Sequence, residues 1–164
     1  MKASLKYGIA GGIISGIIFY AEYFTGVSEK SSGMYSLGAT AIILIVAVFL
    51  YLRKISSPQL NGFYTFGYGF KNGMAVVSAC AATIAVFTFI FFKFINPEYI
   101  ESFVLSGMEQ MRNNGIGETE IQKAAENFRS IHSPFIETIK AMLRTILMGG
   151  VFSLVISLVV KRTE

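Results

Sequence analysis

Apolar residues along this chain gather into long blocks, and the polar positions fall between them. Tyr7 to Phe24, Leu37 to Leu52 and Gly73 to Phe92 are three such blocks, and Ile146 to Val160 is a fourth, approached by an amphipathic stretch from Phe135. A helix that crosses a bilayer needs about 20 mostly apolar residues. Extended to their flanking turns, the blocks predict spans over residues 5–26, 35–53, 66–95 and 134–161, the second being short unless it borrows Met34 to Ser36. Between the third and fourth spans, over residues 97–132, the pattern becomes amphipathic. Ile100, Phe103, Val104, Met108 and Met111 share one helical face, which Asn114-Gly115 ends. Ile121, Ala124, Ala125, Phe128 and Ile131 then line one side of a second helix, with Glu120, Lys123, Glu126 and Arg129 around the rest.

Start signals accompany these helices. Asn96 can cap the first with Pro97 at its first position and Glu98 in its first turn. Thr119-Glu120-Ile121-Gln122 matches a capping box for the second, and Ser133-Pro134 begins the last span. Amphipathic helices this short do not stand alone in water, so they must lay their apolar faces on each other, on the span ends or on the bilayer surface. The expectation is a hairpin folded over the bundle. The fold class is thus all-α: a four-transmembrane-helix bundle with an extracytoplasmic amphipathic helical hairpin between spans three and four, in a single membrane domain over 1–164.

Composition agrees. The chain is 53% hydrophobic and 15% charged, with a mean hydropathy of +0.57; soluble domains average about 25% charged residues. Lys2 and Lys6 before the first block also suit a signal sequence. The block is longer than the usual core of about 7 to 15 residues, and only Gly26 and Ser28 offer a small-x-small cleavage site, so an anchored first helix is expected.

Charge orients the bundle. With the N-terminus inside, the inner segments carry Lys2, Lys6, Arg53, Lys54, Lys71, Lys161 and Arg162 against Glu164 alone, in short loops. The outer segments have as many bases, mixed with eight of the ten acids. Both termini are therefore expected in the cytoplasm. The net +4 reads as an inner-face charge rather than a nucleic-acid patch.

Asn61 to Met74, NGFYTFGYGFKNGM, holds three Phe, two Tyr and four Gly. Its rings suit the headgroup level at the start of the third helix, where Asn61-Gly62 reads as a turn and Thr65 as a cap. An alternating strand also fits the pattern, but an open strand edge in lipid leaves backbone groups unpaired. Gly69 and Gly73 form a GxxxG pair, and Gly8, Gly12 and Gly16 make a longer ridge on the first span with Ser15 beside it. Such ridges let helices approach closely, either within the chain or between copies.

Four stretches, LKYGIAGG, GFYTFGYGFKNG, FINPEYIESF and SPFIETIKAMLRTILMGGVFSLVISLVVKR, together make the chain resemble bacterial integral membrane proteins grouped as domain of unknown function 4199. The most specific parts are Gly62, Thr65, Phe66, Gly67, Phe70 and Lys71, with the Asn96-Pro97 that ends the third span. The resemblance implies four spans and a helical outer segment, and no activity. It places the chain in a bacterial cytoplasmic (inner) membrane.

Two charges lie near the outer boundary at similar depth. Glu22 and Arg144 are expected either to pair there or to reach the outer headgroups separately, because an intramembrane charge is costly without a partner.

Catalytic chemistry is sparse. His132 is the only His, Cys80 the only Cys, and there is no Asp. These counts exclude a His-based metal cluster, an internal disulfide and the commonest nucleophile triad. Gly67, Gly69 and Gly73 follow no strand and precede no Gly-Lys-Ser/Thr, so they make no phosphate loop. The outer Glu residues lack the spacing of a Ca²⁺ loop. The expectation is a protein without catalytic machinery, cofactor or metal. It would be a structural or accessory interaction protein of the cell envelope, surrounded by the lipid bilayer and associating as a homo-oligomer or with an envelope protein. A small transporter or channel subunit and a lipid-binding membrane protein are the alternatives.

Overall fold

The computed structural model describes residues 2–26, 34–56 and 65–160. The Asn61-Gly62 turn, Phe63, Tyr64, Ser28, Lys161 and Arg162 lie outside the described residues. Among the described residues six α-helices follow one another: α1 (Lys2–Phe24), α2 (Met34–Ile55), α3 (Phe66–Ile90), α4 (Tyr99–Asn113), α5 (Glu118–Ile131) and α6 (Pro134–Val160). No strand occurs among the described residues. Four of the helices are long and apolar enough to cross a membrane: Ala3–Phe24, Met34–Ile55, Phe66–Ile95 and Pro134–Val160. The third includes a π-helical turn, Phe91–Ile95, closed by Asn96 N–H donating to Phe91 O at 2.8 Å.

Contacts divide the chain into two compact units, Met1–Ala85 with Ala141–Glu164, and Val86–Lys140. In the first, Leu44, Val48 and Leu52 of α2 meet Val76, Val77 and Cys80 of α3, with Ile156 of α6 completing the core. Much of the remaining interior is Gly, Ala and Ser, while large aliphatic side chains point outward: Leu147 is 71% exposed and Val159 74%. Contiguous apolar patches beyond a few hundred Å² are rare on water-soluble proteins. This outer surface is matched to lipid, where small residues let helices pack and large ones face hydrocarbon.

In the second unit, α4 and α5 form a hairpin. Gly115 adopts φ +76° just after α4, donating to Arg112 O at 3.0 Å, and Ile116 N–H donates to Met111 O at 3.1 Å. This is the left-handed stop that Asn114-Gly115 predicts. Val104, Ile121 and Ala125 are buried in this unit, and the Phe103 and Phe128 rings stack at 5.6 Å. The two apolar faces therefore meet each other.

Two predicted starts shift. α4 begins at Tyr99 with Glu98 as its cap residue, because Asn96 closes the π turn and its carbonyl accepts from Tyr99 N–H at 3.3 Å. α5 starts at Glu118 behind Gly117, so the Thr119 to Gln122 capping box does not form. Thr119 already lies inside the first turn. The prediction at Ser133 holds: its Oγ accepts from Ile136 N–H at 3.3 Å as α6 begins.

Candidate functional site

The glycine ridges meet partners inside the chain. A methyl group built on Gly12 would lie 2.5 Å from Thr83 Cβ and 2.9 Å from Cys80 O, and one on Gly8 would strike Val76 O and Ala79 Cβ. The α1 ridge is therefore seated directly on α3. Gly73 of α3 in turn lies under Ser153 Oγ of α6, with Val48 of α2 at its side. Ser153 Oγ donates to Phe70 O at 3.3 Å across the same contact. Gly16 and Gly69 are also buried. Gly149 of α6 faces Val77, a close approach that the GxxxG spacing does not single out.

At the start of α3, Thr65 Oγ1 accepts from Tyr68 N–H at 3.3 Å, and the Phe66 and Phe70 rings stack at 6.1 Å. Lys71 is exposed, and Gly67 faces open space. Across from them, Tyr51 OH donates to Asn72 Oδ1 at 3.2 Å, and Tyr7 packs on Tyr51 with Lys54 Nζ 6.0 Å from the Tyr7 ring centre.

Glu22 and Arg144 are not brought together. The Glu22 side chain is buried, and its Oε2 accepts from Ser36 N–H at 2.8 Å, whereas Arg144 is exposed. No ion pair joins the two among the described residues. A backbone N–H in the first turn of α2 offers a carboxylate a partner that needs no second buried charge.

The hairpin carries an open surface with both apolar and polar groups. One cavity of 130 Å³ runs between α4 and α5 and is lined by Phe103, Val104, Gly107, Met108, Met111, Ala124, Ala125 and Phe128. A second, of 180 Å³, shares Phe103 and Phe128 and continues to Phe92, Tyr99, Ile100, His132 and Glu137. His132 stacks on Phe128 with ring centres 3.9 Å apart, and its Nδ1 lies 2.7 Å from Glu137 Oε1. Lys140 Nζ donates to the same oxygen at 2.9 Å and to Ile131 O at 2.7 Å. The groove thus has an apolar run and one polar, charge-balanced end.

Exposed ion pairs brace the hairpin. Arg129 holds Glu101 through two bonds, at 2.9 and 2.5 Å, and Arg112 holds Glu118 at 2.7 Å beside the turn. The bonded Arg129 guanidinium keeps the Glu101 carboxyl below the usual carboxylate range.

In the sequence His132 stands out only as the single His, and Glu137 and Lys140 carry no role. The i, i+3 spacing of Glu137 and Lys140 was the available signal; that His132 joins them requires the α5–α6 junction to turn. No group of His, Cys, Asp and Glu suited to a metal ion occurs among the described residues.

No curated protein and no solved structure was found to match the chain. A family model does match, over residues 6–162, and its description carries no activity. The span pattern, the hairpin and that match over nearly the whole sequence agree: the chain belongs to the family described as protein of unknown function (DUF4199), and its four apolar helices are those of a membrane protein.

Proposed function

We propose that this is a non-catalytic accessory protein of the bacterial cytoplasmic membrane, acting through the groove of its α4–α5 hairpin. Both termini lie in the cytoplasm and the hairpin on the outer side. One observation carries the reading: the hairpin keeps an open apolar groove with a polar end after its own two faces have packed. The bundle's close-packing surfaces, by contrast, are occupied by the chain's own helices. Three hydroxyls within the spans are also committed, Thr83, Thr145 and Ser157 each donating to a carbonyl one turn earlier. That leaves a translocation path with less support than a binding surface. The orientation rests on the bases of the short inner segments.

Photocrosslinking tests the reading. A crosslinker at Met111, in the groove, is expected to capture a discrete species that one at Leu147, on the lipid-facing side of α6, does not. Equal capture from both positions removes the groove from consideration. Impermeant thiol labelling of single cysteines over 97–133, in a Cys80→Ala background, is expected from the outer side; access from the cytoplasm alone overturns the orientation.

A further inference from the structure

The groove's lining identifies what it is built to hold. Its two cavities share the stacked Phe103 and Phe128 rings as a common wall, with Val104, Met108 and Met111 lining one and His132 and Glu137 lining the other. At 130 and 180 Å³ they are too small for a helix, which with side chains is about 10–12 Å across, but they suit an extended hydrocarbon chain. At the polar end Glu137 and the His132 imidazole line the cavity, and the Lys140 ammonium sits next to them on Glu137 Oε1 without itself lining it. Glu137 Oε2 and His132 Nε2 take no hydrogen bond from the described residues, so each is available to a ligand. Phe92 and Tyr99 line the same cavity, and aromatic rings beside a carboxylate attract an organic ammonium.

A purely anionic head would meet Glu137, and a purely cationic one Lys140. A head carrying both charges meets each with its opposite. The position also fits: Phe92 belongs to the apolar helix Phe66–Ile95, and Glu137 lies in the first turn of α6, another bilayer-crossing helix. The mouth of the groove is therefore formed where apolar spans give way to polar chain. Resting on the reading of the hairpin as the working surface, we propose that the groove binds one zwitterionic phospholipid. An acyl chain lies along Phe103, Met108 and Met111, the head-group ammonium beside Glu137 and the rings, and the phosphate beside Lys140 and His132.

Native mass spectrometry of the delipidated full chain in mild detergent tests this, with phosphatidylethanolamine and phosphatidylglycerol of matched acyl chains as probes. One phosphatidylethanolamine is expected to bind about tenfold more tightly than phosphatidylglycerol, the scale of one cation–π and carboxylate contact. Glu137→Gln is expected to narrow that preference. Gly107 lines the groove, and a Cβ there meets nothing within 4 Å, so Gly107→Trp should plug the groove without disturbing the helix. Equal or tighter binding of phosphatidylglycerol by the parent protein overturns the lipid assignment whether or not the Trp variant folds. A co-purifying polypeptide that Gly107→Trp displaces, with no lipid bound, sinks the lipid but keeps the hairpin as working surface. Loss of neither lipid nor polypeptide in a folded Gly107→Trp protein sinks both.

Discussion

Glu22, near the end of α1, receives at its Oε2 the backbone N–H of Ser36, in the first turn of α2, at 2.8 Å. A carboxylate from one apolar helix thereby satisfies an orphan donor at the positive end of the next. The loop's two flanking helices are thus tied together by a group that the sequence presents simply as an isolated intramembrane charge. Glu22→Ala is expected to lower stability by about 1–3 kcal/mol, since it removes the carboxylate that accepts from Ser36 N–H. Glu22→Gln, which keeps an acceptor and loses the charge, is expected to lose about 1 kcal/mol or less. Arg144→Ala should stay within about 0.5 kcal/mol of the parent, as an exposed side chain away from such features does. Denaturant titration in mixed micelles gives all three values; an Arg144 loss equal to that of Glu22 would argue for an ion pair between them.

Neighbouring positions in α1 should respond with opposite sign. Gly12→Ala drives a methyl into Thr83 and the Cys80 carbonyl, so α1 and α3 must separate, at a cost of about 1–3 kcal/mol. Ser15 Oγ is buried without a hydrogen-bond partner, and Ser15→Ala removes that burden, with an expected gain of about 1 kcal/mol. Cys80, fully buried in the same contact, supplies the readout: its maleimide labelling should accelerate in the Gly12 variant and not in the Ser15 variant.

Acid should loosen the hairpin. Glu101 has its carboxyl pKa lowered in the folded state by Arg129, so its contribution is complete above the ordinary carboxylate value and fades as pH falls through the lowered one. Spin labels at Gln110 and Gln122 in a Cys80→Ala background report α4–α5 separation. The distance distribution is expected to broaden below about pH 4. Glu101→Gln should flatten this dependence, and an unchanged acid response in that variant would assign it to another group.

Two glycines of the hairpin separate conformational need from convenience. Gly115 holds φ +76°, where a side chain costs about 1–2 kcal/mol, so Gly115→Ala should destabilise the α4 stop. Gly107 is an open helical position, and Gly107→Ala should stabilise by about 0.5–1 kcal/mol. Hydrogen exchange of the α4 amides at fixed pH should move in opposite directions for the two variants.

The sequence by itself determined the four spans, the amphipathic hairpin and its stop at Asn114-Gly115, because block length, helical period and a glycine after an apolar face are properties of consecutive residues. It located the starts of α4 and α5 less well: Asn96 and Thr119 carry local cap chemistry, but the π turn before Asn96 and the tight exit from Gly115 take those residues elsewhere. Only the tertiary structure decided that the α1 ridge packs on α3, that Glu22 serves Ser36, and that His132, Glu137 and Lys140 close one end of a groove. Those relationships depend on which helix faces meet once the loops have closed. A glycine ridge or a lone carboxylate advertises a need for a partner without specifying it, and several partners answer that need equally well until packing selects one.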